Sequence, residues 1–343
     1  MSRSIEIDIF RALGLLLIVL AHVNCPPILH ELRSFDVPIM VMCSGLALSY
    51  SMEGHKQESY SRFICRRSLR LIVPVWFFLT VYFLFYFLLR LIVTHHSDIP
   101  WNSLLRSYLF LNDGFVRYVW IIRVFLLVMI VTPLIFKVTI TLKKGLFCLC
   151  VLVILLFVDL LETIHLHDSF ALFLFNEYLL YLIGYSILLA FGIRLGMSNN
   201  VGKVCNNRLC TFFVLYLIVV LFVFSMKGTS SQFLSHDLKY PPHSLFLLYG
   251  ITGGGFLWFW VNKILENSRI REAGVIRFLA WIGQNTIWLY LWHIPIKECV
   301  NHLCDNWLLR YVLIIFFSLI VYGIQYKLVL HSKIGFFVRY FKG

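Results

Sequence analysis

Residues 5–23 read IEIDIFRALGLLLIVLAHV, and only Glu6, Asp8, Arg11 and His22 in this stretch ionise. A helix of about 20 mostly apolar residues crosses the hydrocarbon core of a bilayer. The stretch therefore reads as a first membrane span. Arg3 resembles the start of a secretory leader. However, Glu6, Asp8 and Arg11 interrupt the run that follows, and no small-residue cleavage site closes it. The segment is expected to be retained.

The same pattern recurs along the 343 residues. Nine further segments qualify or nearly so: 35–52, 71–94, 118–136, 145–162, 170–192, 209–226, 244–262, 278–296 and 307–330. Composition agrees, with 60% hydrophobic residues, 14% charged and a mean hydropathy of +0.83. A soluble domain carries about 25% charged residues. These values exclude a soluble, disordered or collagen-like chain. The nine cysteines show no C-x-x-C spacing, so neither a disulfide framework nor a zinc site is expected. No metal is expected.

The net charge of +13 would suggest nucleic acid in a soluble protein. Here the positive-inside rule accounts for it, and no nucleic-acid partner is expected. With the N-terminus inside and ten spans, 19 Lys and Arg fall in cytoplasmic segments and 7 in outer ones. The expected fold is all-α, a polytopic membrane protein built as a bundle of about ten transmembrane helices. Both termini are expected in the cytoplasm. Residues 58–70, basic and partly apolar, read as a short amphipathic helix at the cytoplasmic face. No connection is long enough for an appended soluble domain, so residues 1–343 are expected to form one domain. Gly253, Gly254 and Gly255 read as a close-packing site within the eighth span.

Ionisable groups inside spans are costly and mark candidates for function. Arg11 and His22 are 11 residues apart. That spacing brings them within about 20° of one helix face and about 16 Å apart along the axis. Arg11 also has Asp8 one turn away. Arg62, Arg66, Arg67 and Arg70 form a basic cluster before the third span. Such a cluster serves as a positive-inside anchor, or as a phosphate site built on planar guanidinium donors.

These residues resemble the acyltransferase-3 family of integral-membrane enzymes. RALGLLLIVLAH (11–22) matches its Arg-x10-His motif. FDVPIMVMCSG (35–45) resembles its second helix, which ends in Ser-Gly. FICRRSLRLIVPVW (63–76) resembles its Arg-x-x-Arg segment followed by Pro. YVWIIRVFLLVMIVTP (118–133) and IGQNTIWLYLWHIPI (282–296) are similar to later helices of the family, and KYPPHSLFLLYG (239–250) to a segment of its polysaccharide-modifying members. Some members carry a fused extracytoplasmic hydrolase-like domain, and none is expected within these residues.

The resemblance implies O-acyl transfer, usually of acetyl, from cytoplasmic acetyl-CoA to a carbohydrate at or across the cytoplasmic membrane of a bacterium. The acceptor would be a surface polysaccharide or its lipid-linked precursor. His22 would be general base or acyl relay, since imidazole titrates near neutrality. Arg67 and Arg70, with Arg66 beside them, would hold the CoA phosphates, and Arg11 would line the route to His22. Two alternatives stay open: a transporter or flippase of a lipid-linked glycan, and an acyltransferase acting on a lipid, peptide or small metabolite. No internal repeat favours the transporter. The oligomeric state is not legible.

Supporting residues have competing structural readings. Asp36 would orient His22, or simply stabilise a helix start. Ser44 is a candidate nucleophile or a packing residue beside Gly45. Glu177 is a carboxylate without explanation in the sixth span, with Arg123 as a possible partner or substrate contact. His293, with Trp288 and Trp292, reads as part of an interfacial aromatic belt ahead of a catalytic group. Lys239, Tyr240, Pro241 and Pro242 form a rigid turn or an acceptor contact.

Overall fold

The computed structural model describes residues 4–52, 59–94, 99–162, 169–197, 238–332 and 334–342. Every regular element among them is helical. In chain order these are α1 (Ile5–Leu20), α2 (Pro27–Leu32), α3 (Asp36–Met52), α4 (Tyr60–Thr94), α5 (Trp101–Tyr108), α6 (Trp120–Thr141), α7 (Lys144–Glu162), α8 (Ser169–Leu174), α9 (Leu180–Gly196), α10 (Ser244–Leu265), α11 (Ser268–Glu272), α12 (Gly274–Gln284), α13 (Thr286–Leu303), α14 (Trp307–Ser332) and α15 (Gly335–Phe341). Among the described residues seven helices are long and apolar enough to cross a membrane. The chain is thus an all-α, multi-pass membrane protein.

Three of the ten expected spans are not among those seven. Residues 209–226 lie outside the described residues. The first span is α1, only 16 residues long, which covers about 24 Å. The ninth is broken at Asn285, whose φ of −119° and ψ of 24° leave the helical region between α12 and α13. The Asn285 Oδ1 accepts a hydrogen bond from the Tyr322 hydroxyl at 2.7 Å.

A further difference concerns residues 58–70. Instead of a separate amphipathic helix, residues 60–70 are the opening turns of the 35-residue α4. Nothing from 60 to 73 breaks a helix, and α4 continues through Pro74. Its length of about 52 Å exceeds the hydrocarbon thickness of about 30 Å.

The chain divides into two compact units. The first comprises Met1–Gln57 and Ile130–Gln284, and the second Glu58–Met129 and Asn285–Gly343. In the first, α3 packs along α9 in its most extensive helix pairing, and α1 packs along α12. Both crossings rely on glycine. A Cβ on Gly45 would lie 2.3 Å from the Leu189 carbonyl oxygen, and one on Gly192 would lie 2.2 Å from that of Met42. A Cβ on Gly283 would lie 1.7 Å from the Asp8 carbonyl oxygen. Ile9, Val261, Leu265 and Ala280 form an apolar cluster among α1, α10 and α12. The N-terminus of α10 is capped from α7. Asp159 Oδ1 accepts from the Ser244 backbone N–H at 2.9 Å, and Oδ2 accepts from the Ser244 hydroxyl.

In the second unit, α13 packs along α14, and α4 and α15 pack beside them. The last carbonyls of α15 and its C-cap are satisfied by side chains of α13 and α14. Trp288 Nε1 donates to the Tyr340 oxygen at 3.1 Å and Gln325 Nε2 to that of Phe341 at 2.9 Å, while the Lys342 oxygen shares the single Tyr322 hydroxyl proton with Asn285 Oδ1.

Candidate active site

The site in the first unit starts where α1 stops. Ala21 remains helical, and the His22 N–H reaches back three residues to the Val19 oxygen at 3.0 Å. Asn24 then adopts a φ of +52°, a left-handed turn conformation for which Asn is well suited. Pro27 at the first position of α2 restarts the helix. His22 is therefore half-buried in a turn two residues beyond the helix, with its Nδ1 inside. The shared face with Arg11 holds for the helix up to Leu20 only.

Beyond that turn lies a buried polar network that the sequence reading largely missed. Arg33 donates from Nη1 to Asp36 Oδ2 at 2.6 Å and from Nη2 to His30 Nε2 at 2.6 Å. Guanidinium only donates, so His30 accepts at Nε2, and in the neutral ring its proton sits on Nδ1. Asp36 Oδ1 accepts from Lys239 Nζ at 3.3 Å and from the Val37 N–H at 2.8 Å. Arg33, Asp36 and Lys239 are 5%, 2% and 6% exposed. Charges so deeply buried persist only when paired and hydrogen-bonded. Burial lowers the Lys239 ammonium below its ordinary pKa, and Asp36 opposes that shift. The Tyr249 hydroxyl closes one flank on the Leu32 oxygen at 2.6 Å.

Asp36 is thus engaged by Arg33, Lys239 and its own helix start, and His22 is not among its partners. Lys239, read as part of a turn or an acceptor contact, faces inward to a carboxylate 203 residues earlier. His30 and Arg33 carried no mark in the sequence reading, although Arg33 and Asp36 stand at an ion-pair spacing of three. Asp159 escaped notice too, although it sits alone in an apolar run, as Glu177 does.

Arg11 lies at the other end of α1. Its Nη1 is 3.7 Å from Asp8 Oδ1 and 3.5 Å from the Gly283 oxygen. Asp8 Oδ2 also accepts from Gln284 Nε2 at 2.9 Å. Arg11 therefore pairs within its own helix and ties α1 to α12. The Ser44 hydroxyl donates back to the Met40 oxygen at 3.4 Å, one residue from the tight crossing at Gly45. Glu177 is half-buried in a π turn, Phe175–Leu179, between α8 and α9.

The remaining expected residues belong to the second unit. Arg66 and Arg70 are exposed on α4, and the Arg67 guanidinium lies 4.5 Å from the Phe63 ring. Arg123 is 3% exposed, with Nη2 donating to Asn112 Oδ1 at 3.4 Å. Trp288 and His293 are each 1% exposed. They are interior residues and not members of an interfacial belt, and His293 Nδ1 bonds to the Tyr290 oxygen.

A family model described as an acyltransferase domain matches residues 4–324. The chain belongs to the acyltransferase-3 family. The match runs through both units of the acyltransferase. Neither a curated protein nor a solved structure matches it.

Proposed function

We propose that this membrane acyltransferase is an O-acetyltransferase of a bacterial cytoplasmic membrane. It takes acetyl from cytoplasmic acetyl-CoA and esterifies a hydroxyl of a surface polysaccharide or of its lipid-linked precursor. The observation that carries this reading is the place of His22, half-buried in the turn between α1 and α2. In the direct route His22 takes the acceptor's hydroxyl proton. The oxygen attacks the thioester carbonyl, the carbon–sulfur bond breaks, and CoA leaves as thiolate to be reprotonated. A relay through acetyl-His22 gives the same balance in two steps. Arg67 and Arg70 bind the CoA phosphates, where planar bidentate donors outperform ammonium.

Two measurements test this. His22→Ala, at equal protein level in the membrane, is expected to lower polysaccharide ester formation by about 10²–10⁴-fold, the usual contribution of general acid–base catalysis. A mild defect would remove His22 from catalysis. Arg67→Lys with Arg70→Lys keeps the charge, and is expected to weaken acetyl-CoA binding by purified protein. Unchanged affinity would return these arginines to membrane anchoring.

A further inference from the structure

The buried network of the first unit contains one contact that depends on a proton. Arg33 Nη2 lies 2.6 Å from His30 Nε2. A guanidinium has no acceptor and keeps its charge throughout the ordinary pH range. The contact therefore exists only while Nε2 offers its lone pair, that is, while the ring is neutral. A proton on Nε2 would set one N–H against another, and one cation against another, at that distance.

The surrounding charges do not offset this. Among the described residues, the charged groups facing His30 are Arg33 at the end of its own helix, Asp36 at the start of α3, and Lys239 in the turn before α10. Asp36 already accepts from Arg33, from Lys239 and from the Val37 N–H. Glu31, next to His30 on α2, acts on Lys239. Arg33 is buried, so solvent screens little of the repulsion. Position makes the contact matter. Val23, Asn24, Cys25 and Pro26 are all that separates His22 from α2, and Pro26 and Pro27 stiffen that link.

We infer that His30 is an acid-sensitive latch: while neutral it holds Arg33 and keeps the stretch from His22 to α2 in place, and on protonation it releases that stretch. The proton binds the released ring and not the held one, so release is favoured as pH falls. The latch is a response of the fold to acid. It is independent of the proposed reaction, and its test needs no acyl transfer.

Cys25 reports the release, because it is buried in that stretch, within electrostatic reach of Arg33, whereas Cys299 is exposed. The full chain in mild detergent is treated with N-ethylmaleimide at about pH 7.5 and about pH 5.5, on either side of the ordinary imidazole value of about 6.5. Labelling of each cysteine is measured by mass spectrometry. The ratio of Cys25 to Cys299 cancels the common pH dependence of thiolate attack. One proton coupled to release is expected to raise that ratio about tenfold at the lower pH in wild-type protein. His30→Gln, which keeps an acceptor and takes no proton, is expected to remove the rise. His243→Gln, at an imidazole 3.9 Å from Asp159, is expected to keep it. An unchanged ratio in wild-type protein, or a rise that persists in His30→Gln, would overturn the latch. Should His30→Gln fail to fold, Arg33→Gln removes the opposing cation and is expected to abolish the rise, and a rise that persists there overturns the latch equally.

Discussion

In the unit built on α1, α3 and α9, backbones meet backbones, and in the unit built on α4, α13 and α14, rings meet rings. Gly45 and Gly192 let α3 and α9 touch at their carbonyls. That unit also buries the charges of Asp36, Arg33 and Lys239. The other unit stacks Trp288 on Phe341, with Phe77 edge-on to the same ring and Phe78 edge-on to Trp292. Buried ion pairs need fixed geometry to offset desolvation, and backbones in direct contact cannot slide without collision. Aromatic side chains fill volume with directional but weak preferences, which leaves room for a groove between α4, α13, α14 and α15. One unit is built for placement and the other for accommodation.

The contrast breaks most sharply at Gly192. Gly192→Leu must displace α3 by several ångströms or leave the crossing unformed. The expected cost exceeds about 5 kcal/mol, at the extreme of single substitutions. Little or no monodisperse protein should be recovered in detergent, and recovery at wild-type level would show that the crossing is dispensable. Next comes Asp36→Ala, which leaves Arg33 and Lys239 without their carboxylate, at an expected cost of about 3 kcal/mol. Lys239→Ala combined with it should cost less than the two single changes added together. Strict additivity in thermal unfolding would deny that they act as a pair. The smallest effects belong to the second unit. Trp288→Phe keeps the ring packing and loses one hydrogen bond, worth about 1 kcal/mol. Leu84→Ala, at a residue 70% exposed on α4, should stay within about 0.5 kcal/mol. A Leu84 effect larger than that of Trp288 would show that exposed apolar faces, not ring stacking, stabilise this unit.

What hydropathy could reveal was set by lipid. A helix facing hydrocarbon must be apolar over its whole length, so α4, α7 and α14 were legible from composition. The break at Asn285 was not, because it depends on Tyr322, 37 positions away. The opening turns of α4 misled for the opposite reason. Their basic composition resembles a surface helix, while the backbone simply continues. The motif residues Arg11 and His22 stood out because charge inside a span is rare. Arg33 and His30 were concealed in what looked like an outer loop, where charge is ordinary. Lys239 could be paired with Asp36 only by the fold, since nothing local links residues 203 apart.

The π turn at Phe175–Leu179 has an arithmetic consequence for the unit that contains it. A bond from i to i+5 encloses one residue more than a bond from i to i+4. One extra residue advances an α-helical spiral by about 100°. The side chains of α8 therefore follow a different stripe from those of α9, as if one letter had been inserted into a repeating text. Glu177 occupies that misprint. Removing a single residue from 175–179 would let the spiral close as an ordinary helix and would turn α8 by more than a quarter of a revolution relative to α9. The two stripes agree with their surroundings only because the extra residue is present.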